Sequence, residues 1–551
     1  MVESFPWFWP RYVGVWGAIS RGLSAPLPIV ASEMVLPASA IRAIHVGMRS
    51  TKPFLLAALC AFAAAPMALA QRDVGPQDFD ALADIGKRVE RIKQYDDGPD
   101  GIGAVIAHSY TAGFKARDAV GLGLLKGRSV LVKDNIETEE WPTTAGSLAL
   151  ADNATRRDAP LIANLRRNGG VVLGKTNLSE WANIRDGNST SGWSAVGGLT
   201  RNPHAIDRNA CGSSSGSGAA IAAGMAWGAI GTETNGSITC PASVNGVVGF
   251  KPSVGLVSRT HVVPISSTQD TAGPMTRTVY DAALLLGAIA GEDPADPVTL
   301  GAVRVADYTE GLADHSLAGV RVGIMRKQTG ERADLRDVFE NALADMKAAG
   351  AILVDIEFEP DTQMYRDSFT VLKFELREEM DRYLASIPEF ESGRTPRSLA
   401  DLIAFNEANA DAEMRWFGQD IFLEAEATTD RDAYEEARAN ALRIAGPETL
   451  DRLFAEHGVA VLVAPTRGPA WTSDLVNGDN YGGSIGFGSP AAIAGYPHLT
   501  VPMGAVERLP VGISFIGRKW ADHEVLKMGA AYERARTAEL PAPSFKRWSA
   551  D

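Results

Sequence analysis

Residues 209–255 read NACGSSSGSGAAIAAGMAWGAIGTETNGSITCPASVNGVVGFKPSVG. Ser213, Ser214, Ser215 and Ser217 crowd among Gly212, Gly216 and Gly218. Every glycine fixed in a folded segment gives up chain entropy, and a plain structural turn needs far fewer of them. Upstream, Ser129-Val-Leu-Val-Lys133 is a short apolar run closed by a lysine. A lysine there points into a poorly solvated pocket. Alone it would be a surface residue with a buried stem; beside a serine-rich block it suggests a nucleophile and its base. A serine hydroxyl attacks poorly until a base takes its proton. Lysine can be that base only when neutral, and burial lowers its pKa from about 10.4. Asp134 would oppose this, but successive side chains of a strand face opposite sides, so it should point away.

Two common motifs match without their context. Gly169-Gly-Val-Val-Leu-Gly174-Lys175-Thr176 fits a phosphate loop, which needs a strand before it and a helix starting at the lysine. Here a helical stretch precedes, and Val-Val-Leu reads as a strand. Gly212-Ser-Ser214-Ser-Gly216 fits a nucleophile elbow, which needs an apolar strand directly before it. Residues 201–210, RNPHAIDRNA, read as a polar loop instead.

The elements that must hold these residues alternate in period. Phe79, Leu82, Ile85, Val89 and Ile92 recur at spacings of three and four, which predicts an amphipathic helix. Pro160 to Arg167 reads as a helix stopped by Gly169-Gly170, followed by the strand Gly170-Val-Val-Leu. Leu335, Val338, Phe339, Leu343 and Met346 make another helix, closed by Gly350, with a strand over 351–358. Further strands are expected over 459–463 and 511–516. The alternation predicts an α/β fold: a single large domain whose central mixed, mostly parallel β-sheet is covered by helices on both faces. Residues 364–445 are charged and helix-rich and should form a cap or flank.

On these blocks the sequence resembles the amidase signature family. The matching stretches are the Gly/Ser-rich block, Lys133 in V-K-D-N-I, Gly231-Thr-Glu-Thr-Asn-Gly-Ser-Ile238, Gly174-Lys-Thr-Asn-Leu-Ser-Glu180 and Gln269-Asp-Thr-Ala-Gly-Pro274. Asn177-Leu-Ser-Glu-Trp-Ala-Asn183 and Ser398-Leu-Ala-Asp-Leu-Ile-Ala-Phe-Asn406 are similar to its bacterial peptide amidase branch. The likeness spans about residues 78 to 540. It implies the family's sheet fold and a Ser–cis-Ser–Lys triad, with Ser237 as nucleophile, Ser213 bridging from a cis peptide after Gly212, and Lys133 as base. It also implies an oxyanion hole from the backbone of Thr234, Asn235, Gly236 and Ser237, an acyl pocket bordered by Trp181 and Ala182, and no cofactor or metal. Ser214, Glu233 and Asp270 are expected to hold the loops by hydrogen bonds, and His261 and His498 to be structural. Three positions depart from the commoner pattern: Cys211 opens the serine block, Glu233 replaces an aspartate, and Asn235 replaces a glycine. Asn tolerates positive φ, so the turn survives.

The resemblance implies a serine hydrolase cleaving carboxamide C–N bonds in a small-molecule or peptide amide, peptide C-terminal amides foremost. An aryl acylamidase or broad amide hydrolase is one alternative, and an inert exported α/β binding protein another. With 551 residues and a net charge of −14, the chain is an unsuitable partner for nucleic acid, which needs clustered Lys and Arg. Met48 to Gln71 has a basic start at Arg49 and Lys52, an apolar run from Phe54 to Ala65, and Ala68-Leu69-Ala70 as an A-x-A site. That is the pattern of a secretory signal peptide over 48–70. Residues 1–47 then read as a start-site artefact or disordered extension, and 71–551 as the amidase signature domain, periplasmic or secreted, free of the membrane, and monomeric or homodimeric. Cys211 and Cys240 are the two cysteines after the leader; the sequence leaves open whether they pair.

Overall fold

Apolar runs too short for helices become strands covered on both faces. Val130, Leu131 and Val132 are fully buried: Val130 and Val132 join one apolar cluster, and Leu131 joins another on the opposite side. That alternation is the period of two of a strand in a sheet with helices above and below. A computed structural model describes residues 80–98, 100–481, 483 and 485–549. The expected leader and the segment before it lie outside the described residues.

The strands are β1 (Val105–His108), β2 (Ser129–Lys133), β3 (Val171–Thr176), two small ribbons, β4 (Trp193–Ser194) with β5 (Gly198–Leu199) and β6 (Arg201–Asn202) with β7 (Ala205–Asn209), then β8 (Gly228–Glu233), β9 (Val248–Lys251), β10 (Thr271–Thr276), β11 (Arg321–Met325), β12 (Ile352–Ile356), β13 (Val461–Pro465), β14 (His498–Val506) and β15 (Leu509–Ile516). One mixed sheet of 11 strands runs in the order β1-β3-β2-β8-β10-β9-β14-β15-β13-β11-β12. Four of its ten neighbouring pairs are parallel: β2 with β3, β2 with β8, β11 with β12, and β11 with β13. The expectation of a mostly parallel sheet is therefore corrected. The middle of the sheet is antiparallel, and its β14–β15 hairpin turns on Glu507 and Arg508, both at positive φ (48° and 67°). Two-residue hairpin loops favour such φ values but usually announce them with Asn or Gly. The expected polar loop over 201–210 is likewise corrected, since β6 and β7 pair there.

Helices α1 (Ala81–Tyr95), α2 (Ala112–Ala119), α4 (Ser215–Ala222) and α5 (Thr239–Val244) bring Ile85, Ala116, Ile221 and Ala242 to the face of Leu131. Asp80 caps α1 by accepting the Ala83 N–H at 3.0 Å. On the other face lie α3 (Pro160–Arg167), α6 (Val279–Ile289), α7 (Ala333–Ala348) and the helix Asp522–Ala535. The charged stretch forms a flank: α8 (Gln363–Ser386), α9 (Leu399–Ala408) and their successors pack Leu376, Leu384 and Phe422 on Ala145, Leu150 and Trp181.

Candidate active site

Lys133 ends β2 and is 0% exposed. Its Nζ lies 2.8 Å from Ser213 Oγ, 2.8 Å from Thr232 Oγ1 and 3.2 Å from the Thr232 carbonyl. Asn135 Nδ2 donates to the same Thr232 hydroxyl at 3.0 Å. All three contacts are acceptors for an ammonium; a neutral amine, with two N–H donors and one lone pair, fits them by donating to the two Thr232 oxygens and accepting from Ser213. Among the described residues no carboxylate reaches Nζ within ion-pair distance. Burial pushes the Lys133 amine down to about 7, against the opposing pull of the Asp270 and Glu233 charges. Asp134 points away, to an ion pair with Lys175 at 3.0 Å and a hydrogen bond from the Thr144 hydroxyl.

Ser213 is fully buried and follows a cis peptide bond with Gly212. Gly212 allows a close approach: a Cβ there would stand 2.0 Å from Ser179 Oγ and would have to displace that hydroxyl from its bond with the Gly192 N–H. The Ser214 N–H donates to the Ser237 carbonyl at 3.1 Å, which draws the two serine segments together. Ser214 itself is occupied. Its hydroxyl donates to the Thr232 carbonyl at 3.1 Å and accepts the Thr232 N–H at 3.2 Å. Ser237 is 9% exposed, and its hydroxyl takes no hydrogen-bond partner among the described residues.

The loop leading to Ser237 is held from both ends. Glu233 Oε2 accepts the Ile238 and Thr239 N–H groups at 2.8 and 3.0 Å, holding the start of α5 just past Ser237. Thr234 Oγ1 donates to Asp270 at 2.6 Å, and Asp270 in turn accepts from the Ile265 and Ser266 N–H groups, each at 2.8 Å. Gly236 has φ 88° with open space where a Cβ would go, so conformation and not crowding calls for glycine. Asn235 is exposed, and its side-chain oxygen accepts from Ser489 Oγ at 3.3 Å. The N–H groups of Thr234, Asn235, Gly236 and Ser237 find no acceptor among the described residues, which leaves four donors free in one short arc.

A cavity of about 370 Å³ adjoins this centre and is walled by Asn135, Thr232, Thr234, Ala182, Arg259 and His261, among others. Lys133, Ser213 and Ser237 are not among its walls. Ala182 borders it. Trp181 does not: at 2% exposure it packs edge-on against Phe422 in the helical flank, because its large ring completes that apolar cluster. His498 is buried with Nε2 2.6 Å from Ser514 Oγ, and burial lowers it to about 4; it takes no part in the Lys133 contacts. Thr232 and Asn135 were not singled out from sequence, although both lie inside the matched blocks. Only the lysine's position told that its neighbours mattered. Cys211 and Cys240 form a disulfide.

The family model described as Amidase matches residues 89–526. A probable amidase of Arabidopsis thaliana is 36% identical over 441 residues, spanning 78% of this chain and 80% of its own length. Among solved structures, the native peptide amidase from Stenotrophomonas maltophilia superposes with a TM-score of 0.80 at 43% identity, covering 87% of this chain and 100% of that one. An amidase family protein from Bacillus anthracis strain Ames gives 0.76 at 32% identity, covering 85% of this chain and 90% of its own.

Proposed function

The chain belongs to the amidase signature family, whose members hydrolyse amide C–N bonds, and from that premise we propose that it removes the amide group from the C-termini of peptides through Ser237, Ser213 and Lys133. The observation that carries this is Lys133: a fully buried amine that has no carboxylate partner among the described residues and lies 2.8 Å from one serine hydroxyl, in a segment bonded to a second serine whose hydroxyl is likewise unpartnered among them. Peptide amides are the favoured substrate because the Stenotrophomonas protein, at 43% identity over its whole length, is a peptide amidase.

Ser237 Oγ attacks the amide carbon. Its proton passes to Ser213 Oγ as the Ser213 proton passes to Lys133 Nζ. The charge on the former carbonyl oxygen meets the free N–H groups of Thr234, Asn235, Gly236 and Ser237; one such donor is worth about 10²–10³ in rate. As the C–N bond breaks, the proton returns from Lys133 through Ser213 to the leaving nitrogen, which departs as ammonia. Water then attacks the acyl-enzyme through the same relay and frees the acid. Ala182 borders the acyl side of the site.

We place this activity outside the cytoplasm. The basic, apolar and A-x-A segments of residues 48–70 support export, and the Cys211–Cys240 bond suits an oxidising compartment. N-terminal sequencing of protein from fractionated cells should begin at Gln71. For the activity, purified residues 71–551 should release ammonia from a short peptide amide faster than aniline from an aryl anilide, and Ser237→Ala should release neither. Faster anilide cleavage would move the assignment to aryl acylamides.

A further inference from the structure

The disulfide joins the two segments that carry the serine hydroxyls. Cys211 stands two residues before Ser213, and Cys240 three residues after Ser237. Each cysteine is fastened to a part of the centre. The Cys240 N–H donates to the Gly236 carbonyl at 2.9 Å, inside the arc of free donors. The Cys211 N–H donates to Asn209 Oδ1 at 2.7 Å, and Asn209 is fixed by its own N–H to the Trp471 carbonyl at 2.7 Å and by Nδ2 to the Ser191 carbonyl at 2.9 Å. Next to the reacting groups, the ties between the segments among the described residues are the hydrogen bond from Ser214 N–H to the Ser237 carbonyl and the two between the Ser214 hydroxyl and Thr232. Behind them, Asn245 Nδ2 holds the Ala210 carbonyl at 2.9 Å. The sulfur pair sits just beneath the surface, with Cys211 5% and Cys240 7% exposed, packed against Val244, Ala470 and Trp471.

We infer that the Cys211–Cys240 disulfide is a positioning clamp that sets Ser213 against Ser237 and fixes the donor arc, so that the oxidised chain is the fast enzyme and the reduced chain a slow one. This rests on the proposed roles of the two serines. Proton relay needs hydroxyls within about 2.6–3.2 Å of each other in the substrate complex. No hydrogen bond joins the Ser213 and Ser237 hydroxyls in the free chain, so the remaining approach has to stay short, because a misplacement of about 1 Å costs on the order of 10²-fold in rate. A covalent link that close to both hydroxyls removes the freedom that would allow such a slip. Neither sulfur touches the reacting atoms. Reduction is balanced by a dithiol: it gives two electrons and two protons to the S–S bond, leaving two thiols on the chain while it closes into its own disulfide. A disulfide also stabilises by restricting the unfolded chain, but that changes how many molecules are folded and not the turnover of each folded one.

The test compares oxidised residues 71–551, the same protein after dithiothreitol with two thiols titrated, and the double variant Cys211→Ala/Cys240→Ala. Turnover of a peptide amide is measured per folded molecule, with the folded fraction taken from circular dichroism. In the reduced protein and the double variant, kcat is expected to fall at least about tenfold, with KM within about twofold of the oxidised value and Ser237 labelling by phenylmethylsulfonyl fluoride slowed in parallel. Reoxidation restores the reduced sample. The inference is overturned if both forms keep kcat within about twofold, lose activity only in proportion to unfolding, or change KM alone. The double variant decides the matter if dithiothreitol fails to reach the bond. If the oxidised protein releases no ammonia, or Ser237→Ala still does, the assigned reaction has failed instead.

Discussion

Lys133 and Lys175 lie on paired strands, Lys175 opposite Val132, and both are buried. A register shift between Val130 and Leu131 puts Lys133 on one face of the sheet and Lys175 on the other. The surroundings then differ completely. Lys175 donates to the Ile136 carbonyl at 2.7 Å and Thr143 Oγ1 at 3.0 Å, and pairs with Asp134 at 3.0 Å. Three acceptors, one of them an anion, suit an ammonium with three protons. Lys133 meets two hydroxyls and one carbonyl. Burial penalises the charged form of Lys133, and of the two lysines Lys175 is the one with an ion-paired carboxylate beside it. Burial alone does not make a base. Burial with the wrong partners for a cation does, and Asp134, one residue from Lys133 in sequence, serves the other lysine.

The contrast can be broken most sharply by Lys133→Met. Loss of a general base costs about 10²–10⁴ in rate, so turnover of a peptide amide should fall by that factor while the denaturant midpoint stays level or rises. Unfolding of this variant would show Lys133 to be a strut. Lys175→Met should do the reverse. It leaves Asp134 buried without its cation, a change that costs about 3–5 kcal/mol, read as a lower denaturant midpoint with turnover per folded molecule nearly intact. Adding Asp134→Asn to Lys175→Met should recover part of that loss, because the orphaned charge is gone; a cycle over the four proteins gives the coupling. The smallest effect belongs to Thr232→Val. It removes one acceptor that favours the charged Lys133, so the alkaline rise in rate should move to lower pH, with a loss of turnover of about tenfold or less.

Much of this centre was legible because chemistry concentrates unusual residues. A lysine closing an apolar strand and serines crowded among glycines are costly unless used, and the ordered blocks around them carried the family resemblance. The two-faced sheet was legible from apolar period, with β2 and α3 falling where the pattern put them. What stayed hidden depended on tertiary partners. Glu507-Arg508 gives no hairpin signal, and so the antiparallel middle of the sheet was missed. Trp181 looks like a pocket wall until Phe422, more than two hundred residues away, is seen beside it. Thr232 is an ordinary strand threonine until Lys133 Nζ is placed 2.8 Å from it. The pairing of Cys211 with Cys240 is likewise a fact of folding, since 29 residues separate them.

The most direct measurement of Lys133 as a neutral base is the rate of Ser237 acylation against pH, followed in single turnovers of a peptide amide so that product release does not intrude. Below about 7 the amine holds its proton and cannot take another from Ser213; above it the lone pair is free. The rate should therefore rise through one group with a midpoint near 7 and level off on the alkaline side. A rate that is flat from about pH 6 to 9, or that climbs only near the ordinary lysine value of about 10.4, would contradict it.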